Sequence, residues 1–490
     1  MQKFDRRTFL KHSLLGAASL SLIPAIGCRS TQSPPVHARV PGANGDIRYA
    51  VAGFNGRGQS HLEGFAKVKG TRLVALCDVD SDVLGREVQK QKDHGVPVEG
   101  YTDIRKLLEN PNIDVVSFAT PNHWHALGAI WAMQAGLDVY VEKPVSHEIW
   151  EGRQMVNAAK KYNRVVQAGM QSRSSTGLAE AIAWVRAGNI GKIKRARGLC
   201  YKRRPSIGMV RGPQPIPASV DYDLWCGPAP KAPLTRKHLH YDWHWVWPTG
   251  NGDLGNQGVH QVDIARWVLG QKSLAPSVIS IGGRFGYVDN GDTPNTLVVY
   301  YDYPGAPLIF EVRGLPESED AKAMDKYRGV EIGVVVDCEG GSMVIPNYSS
   351  ADIYDAGGVK LKSFKGANSH FENFIAAVRS RDAALLTAPI EEGHVSAALC
   401  HTANISFLAG REMSPEQLQY LVWKNRDLYD AFGRMRAHLT ANKVDIHAPR
   451  ATMGAALAVD PQTERFTNSH KANSLLKRKY RKPFVVPEIA

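Results

Sequence analysis

Two short stretches carry residues suited to moving a proton. Asn256, His260 and Asp263 fall at i, i+4 and i+7, which predicts one shared helix face. A histidine near its natural pKa can take the proton that leaves as a hydroxyl is oxidised. Asp263, one turn on, can orient that histidine or simply hold structure, and a helix start with a satisfied histidine would look the same. In Glu142-Lys143-Pro144 the lysine follows a strand end, and proline fixes the backbone after it. By itself this is equally a surface lysine in a turn. Gln171 and Arg173 close another strand, where they can face a substrate.

A third stretch suits a nucleotide. Ile47, Tyr49, Ala50, Val51 and Ala52 are apolar and β-prone, and Gly53, Phe54, Asn55, Gly56, Arg57 and Gly58 follow at once. A buried strand entering a helix through such a turn lets the backbone approach a pyrophosphate, with the helix N-terminus supplying N–H donors. Gly53 and Gly58 hold the outer positions of the G-x-G-x-x-G pattern, and Asn55 stands at the middle one. Asparagine tolerates a left-handed backbone better than most residues. Asp78 ends the next strand, near the separation of roughly 20 residues expected for the acid that binds the adenosine ribose. A carboxylate there favours NAD over NADP, and Asp80 adds to that bias. A plain strand–turn–helix is the competing reading of the turn alone.

These residues need strands to carry them. Thr71–Cys77, 113–120, 138–142 and 164–169 read as strands, and 82–93, 101–109, 125–135 and 147–162 as helices. The alternation predicts a doubly wound parallel sheet, with ligands beyond the strand C-termini. That places the turn after Ala52, Asp78, the segment Thr120, Pro121, Asn122 to His125, Glu142–Pro144 and Gly169–Arg173 around one crevice. Further on, 277–287, 295–301, 308–313, 330–338 and 342–346 alternate, are rich in Val, Ile and Tyr and are separated by Gly, Asp and Asn turns, as strands of a second sheet would be. A helix over 256–269 precedes them, and helices over 370–381 and 392–408 follow.

Taken together, GFNGRG, ATPNHWHALGAIWAMQAGLDVYVEKP, GMQSR and GNQGVHQVD resemble the Gfo/Idh/MocA family, the glucose–fructose oxidoreductase and inositol dehydrogenase group. The Pro-Asn-x-x-His segment followed by Glu-Lys-Pro is the specific part. The resemblance runs from Asp46 to about Arg411. It implies an α/β chain: an N-terminal Rossmann domain (45–169) and a C-terminal α+β substrate domain (170–411) whose open, mostly antiparallel sheet lies over the nicotinamide. Residues 412–490 would pack back on the fold. It also implies that Lys143 lies beside nicotinamide and substrate hydroxyl, where an ammonium would stabilise a developing alkoxide. Asn122 and His125 would contact the nicotinamide ribose or ring, with Glu142 in the same cofactor set. The family pattern Asp-x-Gly-x-His reads Asn256-Gln257-Gly258-Val259-His260 here. Asparagine cannot be a base, which leaves His260 as the base candidate.

The basic run Tyr201–Pro205 and the aromatic run Tyr241–Val246 with Trp247 precede the His260 helix. Aromatic faces with interleaved polar groups suit sugar rings, and equally an ordinary core or subunit interface. His240 and His244 lack a helix signal and are not read as metal ligands; no metal is expected.

Arg6 and Arg7 before Thr8, Phe9, Leu10 and Lys11, then a moderately apolar stretch to Ile26, resemble a twin-arginine export signal (1–28). Ala25-Ile26-Gly27-Cys28 resembles a lipoprotein box, so the expectation is a periplasmic protein, lipid-anchored at Cys28 or cleaved nearby. Residues 29–44 read as a tether. The six cysteines lack metal-like spacing and leave an odd remainder without Cys28, which argues against a disulfide framework. The net charge of +13 is dispersed, with one dense run at 477–482, which gives a nucleic-acid role little support. The resemblance implies a homo-oligomer and a sugar, sugar acid, glycoside or cyclitol substrate. Three functions fit: an oxidoreductase with tightly held NAD, a glycosidase that oxidises, eliminates and reduces again, and a silent glycan-binding lipoprotein.

Overall fold

The computed structural model describes residues 45–448 and 450–490, so the export signal, the lipoprotein box and the tether lie outside the described residues. Six parallel strands open the fold: β1 (Ile47–Ala52), β2 (Thr71–Cys77), β3 (Glu99–Tyr101), β4 (Val115–Phe118), β5 (Asp138–Val141) and β6 (Val166–Ala168). Their order is β3-β2-β1-β4-β5-β6. Every residue of β4, β5 and β6 is buried, as expected for a sheet covered on both faces. The order reverses between β1 and β4, and in such sheets ligands bind at that switch point. The segment predicted as a helix over 101–109 is instead β3 followed by a single helical turn, Ile104–Leu107, capped by Asp103.

The second sheet is mixed and mostly antiparallel, with twelve strands. β7 (Ile193–Tyr201) is its centre. It pairs parallel with β10 (Leu308–Arg313) and antiparallel with β11 (Ile332–Cys338). β8 (Ser277–Gly283) and β9 (Thr296–Tyr301) extend one side, and β12 (Gly341–Ile345), β13 (Ser350–Asp355) and β14 (Lys360–Lys365) the other. The helix Ile390–Ala409 lies between the two sheets. It touches the helix Ile149–Lys161 on one side and β8 on the other, and residues 393–406 of it are all buried. One apolar core therefore runs through both sheets, which fixes the switch point of the first against the strand ends of the second.

The tail divides its packing. Short strands at Arg411–Met413, Ala451–Met453 and Leu457–Asp460 join the second sheet beyond β8, and the helices Pro415–Val422 and Arg426–Ala441 cover that sheet. From Glu464 onward the tail reaches the first domain, where Glu464 pairs with Arg153 and Arg478 with Glu148, each at 2.6 Å. There Phe484 packs edge-on against Trp124, and the Ile489 N–H donates to Gln154. Among the described residues no helix is long and apolar enough to cross a membrane.

Candidate active site

At the switch point lies a cavity of about 350 Å3. Its floor is the glycine turn. Gly53 has φ +77°, and a Cβ there would sit 2.9 Å from the Thr120 backbone; a Cβ on Gly58 would sit 2.1 Å from the Gly53 carbonyl oxygen. Both positions therefore exclude any other residue. At Gly56 a Cβ would meet nothing within 4 Å, because that side of the turn opens on the cavity. Asn55 and Gly56 line it, and Arg57 caps the helix Gly58–Ala66.

Asp78 forms one end. Its carboxylate accepts from the Phe54 N–H (3.3 Å) and the Asp80 N–H (3.1 Å). Burial raises its pKa, and these two N–H groups oppose the rise. The chain between β7 and the His260 helix closes over this end. The Ser81 N–H donates to the Ser219 carbonyl, and His240 Nε2 pairs with Asp80 at 2.8 Å. Leu224, Trp225, Trp243 and His244 from this strap face the cavity. The aromatic run thus serves both expectations: Trp243 and Trp245 are buried, the rings of Trp243 and His244 stack 3.6 Å apart, and Tyr241 is 53% exposed at the rim. Arg481 of the tail holds the strap through Asp223 and the Gly227 carbonyl.

At the other end stand Thr120, Pro121, Asn122, His125, Glu142, Lys143 and Asn256. Thr120 Oγ1 is buried there with no partner among the described residues. Lys143 Nζ donates to the Asn256 carbonyl oxygen at 2.8 Å. Burial pushes the Lys143 ammonium below its usual pKa; Glu142 opposes this, while Arg57 and Lys202 add to it.

Several expectations change. Asn122 and His125 line the cavity, but their side chains are spent on structure. Asn122 donates to Asn251 at 2.9 Å, and the His125 ring lies between the Pro144 carbonyl (2.6 Å) and that of Thr120 (2.8 Å). Glu142 lines the cavity and is also a hub: Oε1 receives Arg57 (2.9 Å), His61 (3.2 Å) and Gln171 (3.0 Å). Burial alone would raise its pKa, but His61 and Arg57 hold it well below the usual carboxylate range. The Arg57 and Gln171 side chains are therefore turned to Glu142. Arg173 and Asp263 form a buried ion pair, with Nε 2.9 Å from both carboxylate oxygens. Asp263 also accepts from Ser396 at 2.7 Å. It makes no bond to His260, and neither partner of the ion pair lines the cavity.

The shared face is also revised. Leu254–Gly258 is a turn of π-helix, and the α-helix begins only at Val259. Asn256 therefore stands in the π-turn and His260 in the first turn of the α-helix. Asn256 contributes its backbone carbonyl to Lys143. His260 lies instead edge-on to Tyr348, ring centroids 5.2 Å apart, and among the described residues its ring nitrogens have no hydrogen-bond partner. Burial, with the Lys143 charge adding, lowers its pKa to about 3, far from a natural histidine. Beside it, Gln257 accepts from Lys202 (3.1 Å) and donates to the Tyr348 hydroxyl (2.5 Å). Gln257 and Tyr348 carried no signal in the sequence: one is an amide within a helix, the other a tyrosine in a turn between strands.

A Gly-cradled turn under a strand-end carboxylate, with a lysine at the far end of the crevice, defines a dinucleotide-dependent oxidoreductase. Residues 47–170 match the model of the oxidoreductase family's NAD-binding Rossmann fold, and residues 190–427 that of its C-terminal alpha/beta domain. The chain belongs to the Gfo/Idh/MocA family. Among curated relatives, a glycosyl hydrolase family 109 protein of Shewanella sp. strain ANA-3 is 32% identical over 176 residues, covering 34% of this chain and 39% of that protein. One from Solibacter usitatus is 34% identical over 172 residues, covering 34% and 38%. The chain thus matches less than two fifths of the length of these relatives. Among solved structures, the WlbA dehydrogenase of Bordetella pertussis with NADH and UDP-GlcNAcA gives a TM-score of 0.53 at 19% identity, covering 72% of this chain and 94% of that one. The aldose-aldose oxidoreductase of Caulobacter crescentus gives 0.51 at 19%, again over 72% and 94%. At such identities these two show the fold.

Proposed function

We propose that the chain oxidises a CH–OH group of a sugar, glycoside or cyclitol, with NAD held in the crevice of the first domain. The observation that carries this reading is the Lys143 ammonium, set on the Asn256 carbonyl at the cavity end opposite Asp78. The cavity residues fit the dinucleotide. The glycine turn leaves room over Gly56, Thr120 Oγ1 lacks a partner among the described residues, and Asp78 offers a carboxylate suited to ribose hydroxyls. Gly53, Asn55, Gly56, Gly58 and Asp78 would hold it, with Thr120 and Pro121 beside the nicotinamide half. When bound, NAD+ supplies a hydride acceptor.

Lys143 would donate a hydrogen bond to the substrate hydroxyl oxygen and stabilise negative charge growing there. His260, the base expected from the sequence, stays neutral at neutral pH, but burial and the Lys143 charge make it a weak proton acceptor, and it is not among the residues that line the cavity. The Asn256 carbonyl would aim the lysine. Glu142, through Arg57 and His61, would tie the glycine turn to the strand that carries Lys143.

The glycosyl hydrolase relatives favour a second reading, in which oxidation at the ring precedes elimination and is reversed, giving net hydrolysis. The first reading predicts NADH accumulation with a sugar substrate; the second predicts glycoside cleavage with no net change in nucleotide. A Lys143→Met variant should lose either activity, and full activity of that variant would refute the assignment. Export by the twin-arginine route, anchoring at Cys28 and homo-oligomerisation accompany this proposal, resting on the sequence pattern and the family resemblance. Cell fractionation with a Cys28→Ala comparison tests the first two, and light scattering the third.

A further inference from the structure

Among the described residues, two ammonium groups near the proposed reaction centre form no ion pair with a carboxylate. Lys143 Nζ rests on the Asn256 carbonyl (2.8 Å) and Lys202 Nζ on the Gln257 side-chain oxygen (3.1 Å), so neighbouring residues of one π-turn hold both with neutral acceptors. The acids around them are taken. Glu142 is paired with Arg57 at 2.9 Å, Asp253 with Arg204 at 2.7 Å and Asp263 with Arg173 at 2.9 Å. The two lysines also act on each other, because the Lys202 charge is among the causes that lower the Lys143 pKa.

The group beside Lys202 is also a donor. Gln257 bonds the Tyr348 hydroxyl through its amide nitrogen, which leaves the tyrosine O–H proton free to be given. Tyr348 is 41% exposed and lies edge-on to His260. Lys202 is only partly buried and sits where β7 ends. Together these residues offer an ammonium and a phenol O–H, and among the described residues Lys202 is in no ion pair. A neutral sugar would bring the Lys202 ammonium no counter-charge. An anion would complete the set through charge-assisted hydrogen bonds.

We propose that the substrate is an anionic sugar, carrying a carboxylate or a sulfate that Lys202 and the Tyr348 hydroxyl bind while the reacting hydroxyl lies on Lys143. This narrows the substrate class of the proposed oxidoreductase and rests on that reading. Lys202 is then the residue that selects for charge, and the bond it makes to Gln257 is the resting position of a ligand-binding ammonium.

The test uses the full holoprotein and matched sugars: glucose, glucuronate and glucose 6-sulfate, each free and as a simple glycoside. The expected result is a kcat/KM about tenfold to hundredfold higher for an anionic member than for its neutral counterpart, the range that one charged hydrogen bond supplies. Glucuronate against sulfate then identifies the anion. Lys202→Gln should bring the anionic sugar down to the level of the neutral one, and Lys202→Arg should keep the preference. Bound nucleotide and thermal midpoint report that both variants are folded. Equal kcat/KM for neutral and anionic sugars, or a preference untouched by Lys202→Gln, would overturn the proposal while leaving the oxidoreductase reading intact. If no sugar of this set reacts, calorimetric binding of glucuronate against glucose to the same holoprotein decides the charge preference, and equal binding overturns the proposal.

Discussion

Replacing Asp263 by asparagine separates a structural acid from a catalytic one. The side chain is 1% exposed. Its carboxylate meets Arg173 Nε at 2.9 Å through both oxygens, Arg173 Nη2 at 2.9 Å, Ser396 Oγ at 2.7 Å and Arg266 at 3.6 Å. Asparagine keeps the shape and one acceptor oxygen but removes the charge, leaving two buried guanidinium groups to share Glu392. Breaking a buried pair costs about 3–5 kcal/mol. Because Glu392 remains, whose own pKa is held down to about 2 after its neighbouring arginines outweigh burial, the lower end, about 3 kcal/mol, is expected. The assay is thermal unfolding followed by circular dichroism, with kcat/KM measured well below the transition. The midpoint of Asp263→Asn should fall by several degrees, with kcat/KM within about threefold of wild type. An unchanged midpoint with a hundredfold loss of kcat/KM would place Asp263 in the chemistry and refute the ion-pair account.

Other perturbations follow from the same geometry. Lys143→Met should lower kcat by about 10²–10⁴ while nucleotide binding, read by calorimetry, persists; loss of binding instead would make the lysine a cofactor residue. Gly58→Ala drives a Cβ to 2.1 Å from the Gly53 carbonyl, so nucleotide binding should disappear, and normal binding would mean that the turn does not carry it. His123, His260 and His401 are each buried, and burial lowers each to about 3. The unfolded chain, titrating near 6.5, therefore binds protons that the folded chain refuses. Stability is fully present above about pH 6.5 and should fall between there and about pH 3, by up to roughly 1.4 kcal/mol per pH unit for each histidine. A midpoint flat between pH 7 and 5 would contradict their burial as neutral rings. Phe484→Ala removes a ring packed on Trp124 and Trp131, at a cost of about 3–5 kcal/mol. It should also speed nucleotide release, measured by stopped-flow displacement, because Trp124 lines the cavity.

Local signals in the chain were readable, and distant pairings were not. The strand Ile47–Ala52, the glycine turn and Asp78 lie within one βαβ unit, so spacing alone located them. Lys143 was readable as a strand-end residue, but its acceptor is the backbone of Asn256, far along the chain. Asn256, His260 and Asp263 were grouped by assuming α-helical geometry throughout. Asn256 falls in a π-turn and gives its backbone carbonyl to Lys143, and Asp263 is claimed by Arg173 from another element. The low pKa of His260 is a consequence of burial, which composition and period do not report. β7 carries no clean apolar alternation, because Lys194, Arg195 and Arg197 interrupt it, and Arg197 is nevertheless buried on Glu311 at the centre of the second sheet. Glu142 entered the cofactor set with the family resemblance; it lines the cavity, but the bonds its Oε1 makes to His61 and Gln171, distant in the chain, were not legible.

The central claim is that this crevice uses NAD to take hydride from a sugar carbon. The most direct measurement is mass spectrometry of the nucleotide released on denaturing the purified protein, before and after exposure to a sugar carrying deuterium on the carbinol carbons. The account predicts NAD(H) released in near-stoichiometric amount, with deuterium appearing in the nicotinamide after exposure and not appearing in Lys143→Met. A protein that releases no nucleotide, and fails to bind added NAD or to acquire the label, would contradict it.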